Sequence, residues 1–312
     1  MKPKFDAARD IPDLSDKIIL VTGGNSGIGY ETVKPLLLKN ATVYLAARSP
    51  SKGHEAIAQL ERETGKRAKF LELDLSDLRS VRRAAEAFLS MESRLDVLFN
   101  NAGVMIPPTD QLTAQGYDLQ FGTNVLGHFF LTELLLPALT ASHAHSSTPA
   151  RIIHTSSTAH SRAPAHNVFF DAVKGGPARD ALVKKWGTLN APWTLYGASK
   201  LGNILVSDYY AKTYGHGDAA VLVSCALHPG MVRTGVQRHG PAIFKFITGL
   251  AFAPAPVGAY TQLWAGTAAS AEEINGKYFL PVGIATSPGG RTDDEQLAVE
   301  VVKYLKDAIE GF

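Results

Sequence analysis

Two side chains able to share a proton stand four positions apart at Tyr196 and Lys200, in a stretch, Tyr-Gly-Ala-Ser-Lys, that otherwise reads as helix. On a helix, residues i and i+4 lie on one face, so a phenol and an ammonium reach the same point. Free tyrosine titrates near ~10. A unit positive charge about 5 Å away at an effective dielectric of ~20 contributes about 3 kcal/mol, enough to lower that titration by roughly two pH units. A phenol tuned in this way would exchange protons near neutral pH. The spacing alone does not single this pair out, because Tyr30 and Lys34 repeat it. The elements around each pair have to decide.

The first of those elements is the apolar run Lys17–Thr22, which leads into glycines at positions 23, 27 and 29, and a helix is expected from Ile28 to Lys39. Strand, tight glycine loop and helix start are the physical recipe for a pyrophosphate site, with backbone amides of Gly23, Asn25, Ser26, Gly27, Ile28 and Gly29 facing the negative charge. Pro35 removes one helical hydrogen bond and predicts a kink or a short helix. The pattern then predicts strands at Thr42–Ala47, Ala68–Leu73, Leu95–Phe99, Arg151–Thr155, Ala220–Leu227 and Lys277–Leu280. Helices are expected at His54–Thr64, Ser80–Ser90, Asn124–Leu139 and Asp293–Ile309. This rhythm implies one α/β domain over residues 1–312, a Rossmann-type three-layer sandwich around a mainly parallel seven-stranded sheet. Thr140–Pro149 reads as a polar linker, so its two histidines, His143 and His145, fit a solvated loop better than a metal site.

The end of the second strand bears on the cofactor. An acid there would hydrogen-bond the ribose of NAD and repel the extra phosphate of NADP, yet none occurs between Ala41 and His54. Arg48 and Lys52 stand there instead, and a planar guanidinium suits phosphate, so the expected cofactor is NADP(H).

Composition narrows the remaining classes. With 31 basic and 29 acidic residues and no basic block, nucleic acid is not an expected partner. A single cysteine, Cys225, excludes an intrachain disulfide and fits a reducing compartment such as the cytoplasm. Met1–Asp16 has no apolar signal core, and the run Pro241–Pro256 is too short to span a bilayer, so no transmembrane segment is expected.

Taken together, Thr22-Gly-x-x-x-Gly-x-Gly29, Asp74, Asn100-Asn-Ala-Gly103, Asn124, Ser157, Tyr196-x-x-x-Lys200 and Pro229-Gly230 occur in the order of the short-chain dehydrogenases/reductases, which this chain resembles from Ser15 to Tyr278. The resemblance implies that Tyr196 is the general acid/base, that Lys200 lowers its pKa and holds the nicotinamide ribose, and that Ser157, rather than its neighbour Ser156, binds the substrate oxygen. It implies that Asn124 perturbs its helix and supports a water in the proton relay. Asp74 and Leu75 would lie by the adenine, Asn101, Ala102 and Gly103 by the adenosine ribose, and Pro229, Gly230, Val232 and Thr234 by the nicotinamide carboxamide. Tyr30 and Lys34 would lie on the helix under the phosphates. His228 reads as structural.

The stretch Asn124-Val-Leu-Gly-His128-Phe-Phe-Leu-Thr and the long connection 158–193 are similar to the retinol-dehydrogenase-like branch, which implies a lipophilic alcohol or carbonyl substrate and a substrate-side insertion at 158–193. The apolar segment 235–256 is expected to form a substrate lid, with a dimer contact or a membrane-surface patch as alternatives. Homo-oligomerisation stays open. So do two alternatives to a carbonyl–alcohol oxidoreductase: a catalytically silent NADP(H) redox sensor, and a carbon–carbon double-bond reductase.

Overall fold

The computed structural model describes residues 5–217, 220–232 and 254–312. Its strands are β1 (Ile18–Thr22), β2 (Thr42–Ala47), β3 (Lys69–Glu72), β4 (Val97–Asn100), β5 (Ala150–Thr155), β6 (Leu222–Leu227), β7 (Tyr278–Leu280) and β8 (Ile284–Thr286). They form one sheet in the order β3-β2-β1-β4-β5-β6-β7-β8. All pairings are parallel except the last, where β8 folds back antiparallel on β7. The expected sheet of seven strands therefore has eight. The extra strand left no mark in the sequence, because its three residues are all exposed and show no apolar alternation.

The longer helices are α1 (Gly27–Leu38), α2 (Pro50–Thr64), α3 (Leu78–Met91), α4 (Gly127–Ser146), α5 (Pro177–Tyr214), α6 (Ala255–Leu263) and α7 (Glu295–Ile309). Alternate strand residues point to opposite faces, which divides the interior into two cores. Leu20, Leu98 and Ile152 meet α3, α4, α5 and α7 on one face; Ile19, Val21, Phe99 and Ile153 meet α1, α2 and α6 on the other. The result is the expected three-layer sandwich. α7 settles on its own domain, with Leu297, Val301 and Leu305 in the first of these cores.

Of the kink or short helix expected at Pro35, the short helix does not occur: α1 runs 12 residues through it, with Val33, Leu36 and Leu37 buried along one face. The polar linker is also smaller, since α4 continues to Ser146 and carries His143 and His145 in its last turn. Among the described residues no group of histidine, cysteine and carboxylate side chains could hold a metal.

The stretch Leu119–Ser146 is long and apolar enough to cross a bilayer, a property that the sequence reading passed over. In the fold it lies against the sheet and α3, with Phe129, Leu131, Leu135 and Leu139 in the core.

The connection 158–193 is largely helical. After the tight turns Thr158–Arg162 and His166–Val168 and a helical turn Phe169–Val173, α5 starts at Pro177 and, with a break at Gly187, runs on through Tyr196. A buried ion pair seats it. Arg179 Nη2 lies 2.7 Å from Asp118 Oδ2, and Asp118 also accepts from the amides of Gln120 and Phe121 at the start of the segment that holds Asn124. Of the segment 235–256, only residues 254–256 are described, and they open α6; the expected lid otherwise lies outside the described residues.

Candidate active site

Strand order reverses at β1, whose neighbours are β2 and β4, and the crevice at the carboxyl ends of these strands is where such sheets bind ligands. A cleft of about 810 Å³ opens there. Its floor is the glycine loop. Gly29 sits so close to the loop that an added Cβ would come within 2.2 Å of the Gly23 carbonyl oxygen, so no side chain fits. Ser26 caps α1 without a side-chain bond, which leaves the first amides of the helix facing the cleft. Gly23, Asn25, Ser26, Gly27, Ile28 and Gly29 all line it.

Thr22 ties this loop to the next strand. Its hydroxyl oxygen accepts from the amides of Asn101 and Ala102, and Asn101 Nδ2 donates back to the Thr22 carbonyl at 2.8 Å. Asn101, Ala102 and Gly103 thereby reach the cleft, beside Asp74 and Leu75 from the end of β3. The Asp74 carboxylate is partly engaged, accepting from Ser76 N and Oγ. At the end of β2, Arg48 and Lys52 line the same wall, both exposed, and neither forms an ion pair among the described residues. Ser49, between them, caps α2.

The other half of the cleft is lined by Ser157, Tyr196 and Lys200. α5 presents Tyr196 and Lys200, with Lys200 Nζ 5.6 Å from the centre of the Tyr196 ring. Lys200 Nζ donates to the Thr155 carbonyl at 2.8 Å, as does Asn203 Nδ2 at 3.0 Å. Ser157 reaches the cleft from the end of β5, where its Oγ accepts from Ala159 N. Ser156 is turned inward, donating to the Lys200 carbonyl at 2.7 Å.

Burial sets the titration of the pair. It pushes the Tyr196 phenol well above its ordinary value, against a pull from the Ser157 hydroxyl, and it lowers Lys200 to about 8. The tyrosine is thus not acidified as the spacing suggested. Removing the phenolate from water costs more than the hydrogen bond from Ser157 returns.

Asn124 lies one layer behind the cleft, in a π-helical turn Gly122–Leu126, so the helix is perturbed at this point. Its amide serves the protein. Nδ2 donates to the Val104 carbonyl and to Ser199 Oγ, Oδ1 accepts from Val104 N, and Ser199 in turn donates to the Tyr196 carbonyl. Both amide hydrogens are used within the protein. The main-chain oxygen of Asn124 accepts from His128 Nδ1, while Thr22 Oγ1 lies 2.8 Å from His128 Nε2. Burial lowers His128 to about 4, so the ring is neutral and links β1 to the turn that holds Asn124.

Pro229, Gly230 and Val232 close the cleft after β6, and His228, read as structural, lines it with them. Thr234 lies outside the described residues. Sequence reasoning missed the polar thread beneath these groups: Thr155 Oγ1 donates to Gln262 Oε1, and Gln262 Nε2 donates to Asn101 Oδ1. Gln262 comes from α6, far along the chain, and nothing local in its sequence marks it.

The arrangement joins a glycine loop at a helix start, the cations Arg48 and Lys52, and a buried tyrosine–lysine pair in one crevice. The family model for short chain dehydrogenases matches residues 17–183. A short-chain dehydrogenase/reductase of Armillaria gallica is 50% identical over 98% of this chain and 94% of its own length. An uncharacterized oxidoreductase of Schizosaccharomyces pombe is 38% identical over 96% and 87%. Among solved structures, an uncharacterized protein of Mycobacterium paratuberculosis matches with a TM-score of 0.72 and 29% identity over 98% of this chain and 97% of that one. The RhlG/NADP active-site complex of Pseudomonas aeruginosa matches with a TM-score of 0.64 and 26% identity over 87% and 96%. The chain belongs to the short-chain dehydrogenase/reductase family of oxidoreductases.

Proposed function

We propose that this protein is an NADP(H)-dependent oxidoreductase that interconverts a carbonyl and an alcohol on a lipophilic small molecule. The observation that carries the reading is the meeting of Tyr196, Ser157 and Lys200 with the glycine loop in one cleft. The donor set fits a dinucleotide phosphate. Uncapped amides of α1 suit the pyrophosphate, and Arg48 and Lys52 suit a further phosphate at the ribose. A relative of the same fold, RhlG, is itself described in complex with NADP. Bound there, NADP(H) would supply or accept the hydride.

The chain's own residues would handle the proton and the oxygen. Ser157 donates a hydrogen bond to the substrate oxygen, where charge develops. Tyr196, kept protonated by burial, delivers its proton to that oxygen, which suits reduction of a carbonyl. Lys200 holds a positive charge beside the phenol, favouring the phenolate left behind. Asn124, through Ser199 and Val104, positions α5 and the strand end without touching the reacting atoms. Residues 158–193 supply the substrate wall. A reducing cytoplasm fits the lone buried Cys225.

NADPH oxidation against a panel of apolar ketones and aldehydes tests the reading, with Arg48→Ala and NADH as cofactor controls. Turnover of apolar carbonyls with NADPH preferred is the expected result. Turnover of small hydrophilic carbonyls alone, tighter binding of NADH, or no effect of Arg48→Ala would each contradict part of it.

A further inference from the structure

The substrate end of the cleft has a charge that the reaction does not use. Arg162 closes the turn Thr158–Arg162, which Ser157 caps, and its guanidinium lies over the Trp193 ring, 5.3 Å from the centroid. Trp193 stands edge-on to Tyr196, with ring centroids 6.4 Å apart and planes at 78°. The indole thus contacts both the proton donor and the cation.

The placement is rigid. The turn rests on α5 at Gly197, the residue after Tyr196, where an added Cβ would come within 2.7 Å of Ala163 N and of the Arg162 carbonyl carbon. The backbone of Arg162 is thus registered against the segment that carries the proton donor.

Charge around it has one sign. Arg162 is exposed and forms no ion pair among the described residues. The cleft's one carboxylate among the described lining residues is Asp74, at the end of β3 and held by Ser76. The other cation near the reacting centre, Lys200, already donates to Thr155. His228 is kept neutral, lowered to about 4 by burial. A cleft with low-dielectric walls and one sign of charge attracts the opposite charge. A guanidinium held over an indole by a cation–π contact keeps its charge, and its planar fork can meet both oxygens of a carboxylate.

We propose that Arg162, held beside Trp193, is a recognition site for a carboxylate carried by the substrate, so that the preferred substrates are oxo acids or the matching hydroxy acids. This rests on the carbonyl–alcohol reading above and gives its lipophilic substrate a charged end. Arg162 is here a specificity determinant. It takes no part in proton transfer.

Calorimetric titration of the NADPH-loaded full chain with phenylpropanoate and with neutral phenylpropanamide tests the site without turnover. The wild type should bind the acid at least about tenfold tighter than the amide. Arg162→Gln, a change at an exposed side chain, should abolish that preference and leave the amide affinity unchanged. Equal binding of acid and amide, binding of neither, or a preference that survives Arg162→Gln would overturn it.

Kinetics with benzoylpropionate and its methyl ester keeps the two readings apart. Arg162→Gln should raise KM for the acid alone, at unchanged kcat. If both compounds are reduced with the same KM, the carboxylate site fails and the reaction stands. If neither is reduced while the acid preference in binding persists, the reaction reading fails and the site stands.

Discussion

Tyr30–Lys34 and Tyr196–Lys200 have the same spacing on helices of the same fold, and their surroundings make them opposites. Lys34 is spent: its Nζ lies 2.8 Å from Glu63 Oε2, an ion pair that raises its pKa. Burial and then Glu63 push the Tyr30 phenol up to about 12, and the pair lies on α1, outside the cleft. Lys200 forms no ion pair among the described residues. Its Nζ bonds a carbonyl oxygen, burial lowers it to about 8, and Tyr196 lines the cleft with it. A tyrosine four residues from a lysine is thus chemistry only where the lysine's charge is left over.

Among changes that keep both tyrosines, the largest effect is expected from exchanging the lysines for methionine. Lys200→Met should cost carbonyl reduction about 10²-fold or more in kcat/KM. Lys34→Met should leave kcat/KM within experimental error. Equal losses from the two would erase the distinction.

Next in size is the cofactor's side. Arg48→Ala removes a charge-assisted contact worth about 1.5–3 kcal/mol, so NADPH affinity should fall about 10- to 100-fold while NADH affinity changes little. Fluorescence titration with both cofactors checks this.

A smaller effect is expected in the pH profile. With the Tyr196 phenol protonated throughout, reductive kcat/KM should be flat at lower pH and fall as Lys200 loses its proton through about 8. Lys200→Arg should move that limb upward, since guanidinium does not titrate in this range. Lys34→Arg should leave it in place.

The smallest effect concerns stability. The Lys34–Glu63 pair is partly exposed, so Lys34→Met should shift unfolding by no more than about 1 kcal/mol in denaturant titration.

Parts of this contrast were legible beforehand. The glycine loop, the buried strands and the absence of an acid near Arg48 follow from local residue types, because backbone approach, burial and charge each favour particular side chains. That is why the three-layer fold and the contents of the cleft could be read early. What stayed hidden depends on long-range geometry. β8 is exposed and patternless, Gln262 reaches Asn101 only after folding, and the amide hydrogens of Asn124 are claimed by Val104 and Ser199. The Tyr196 phenol was misjudged for the same reason. Spacing shows a nearby ammonium, and only the folded chain shows how far burial raises the phenol.

NADPH-dependent reduction of a common apolar ketone by wild type, Tyr196→Phe and Tyr30→Phe, side by side, tests the central claim most directly. The account predicts a loss of about 10²–10⁴-fold for Tyr196→Phe, with NADPH binding kept, and wild-type turnover for Tyr30→Phe. Undiminished turnover in Tyr196→Phe, or an equal loss in both variants, would contradict it.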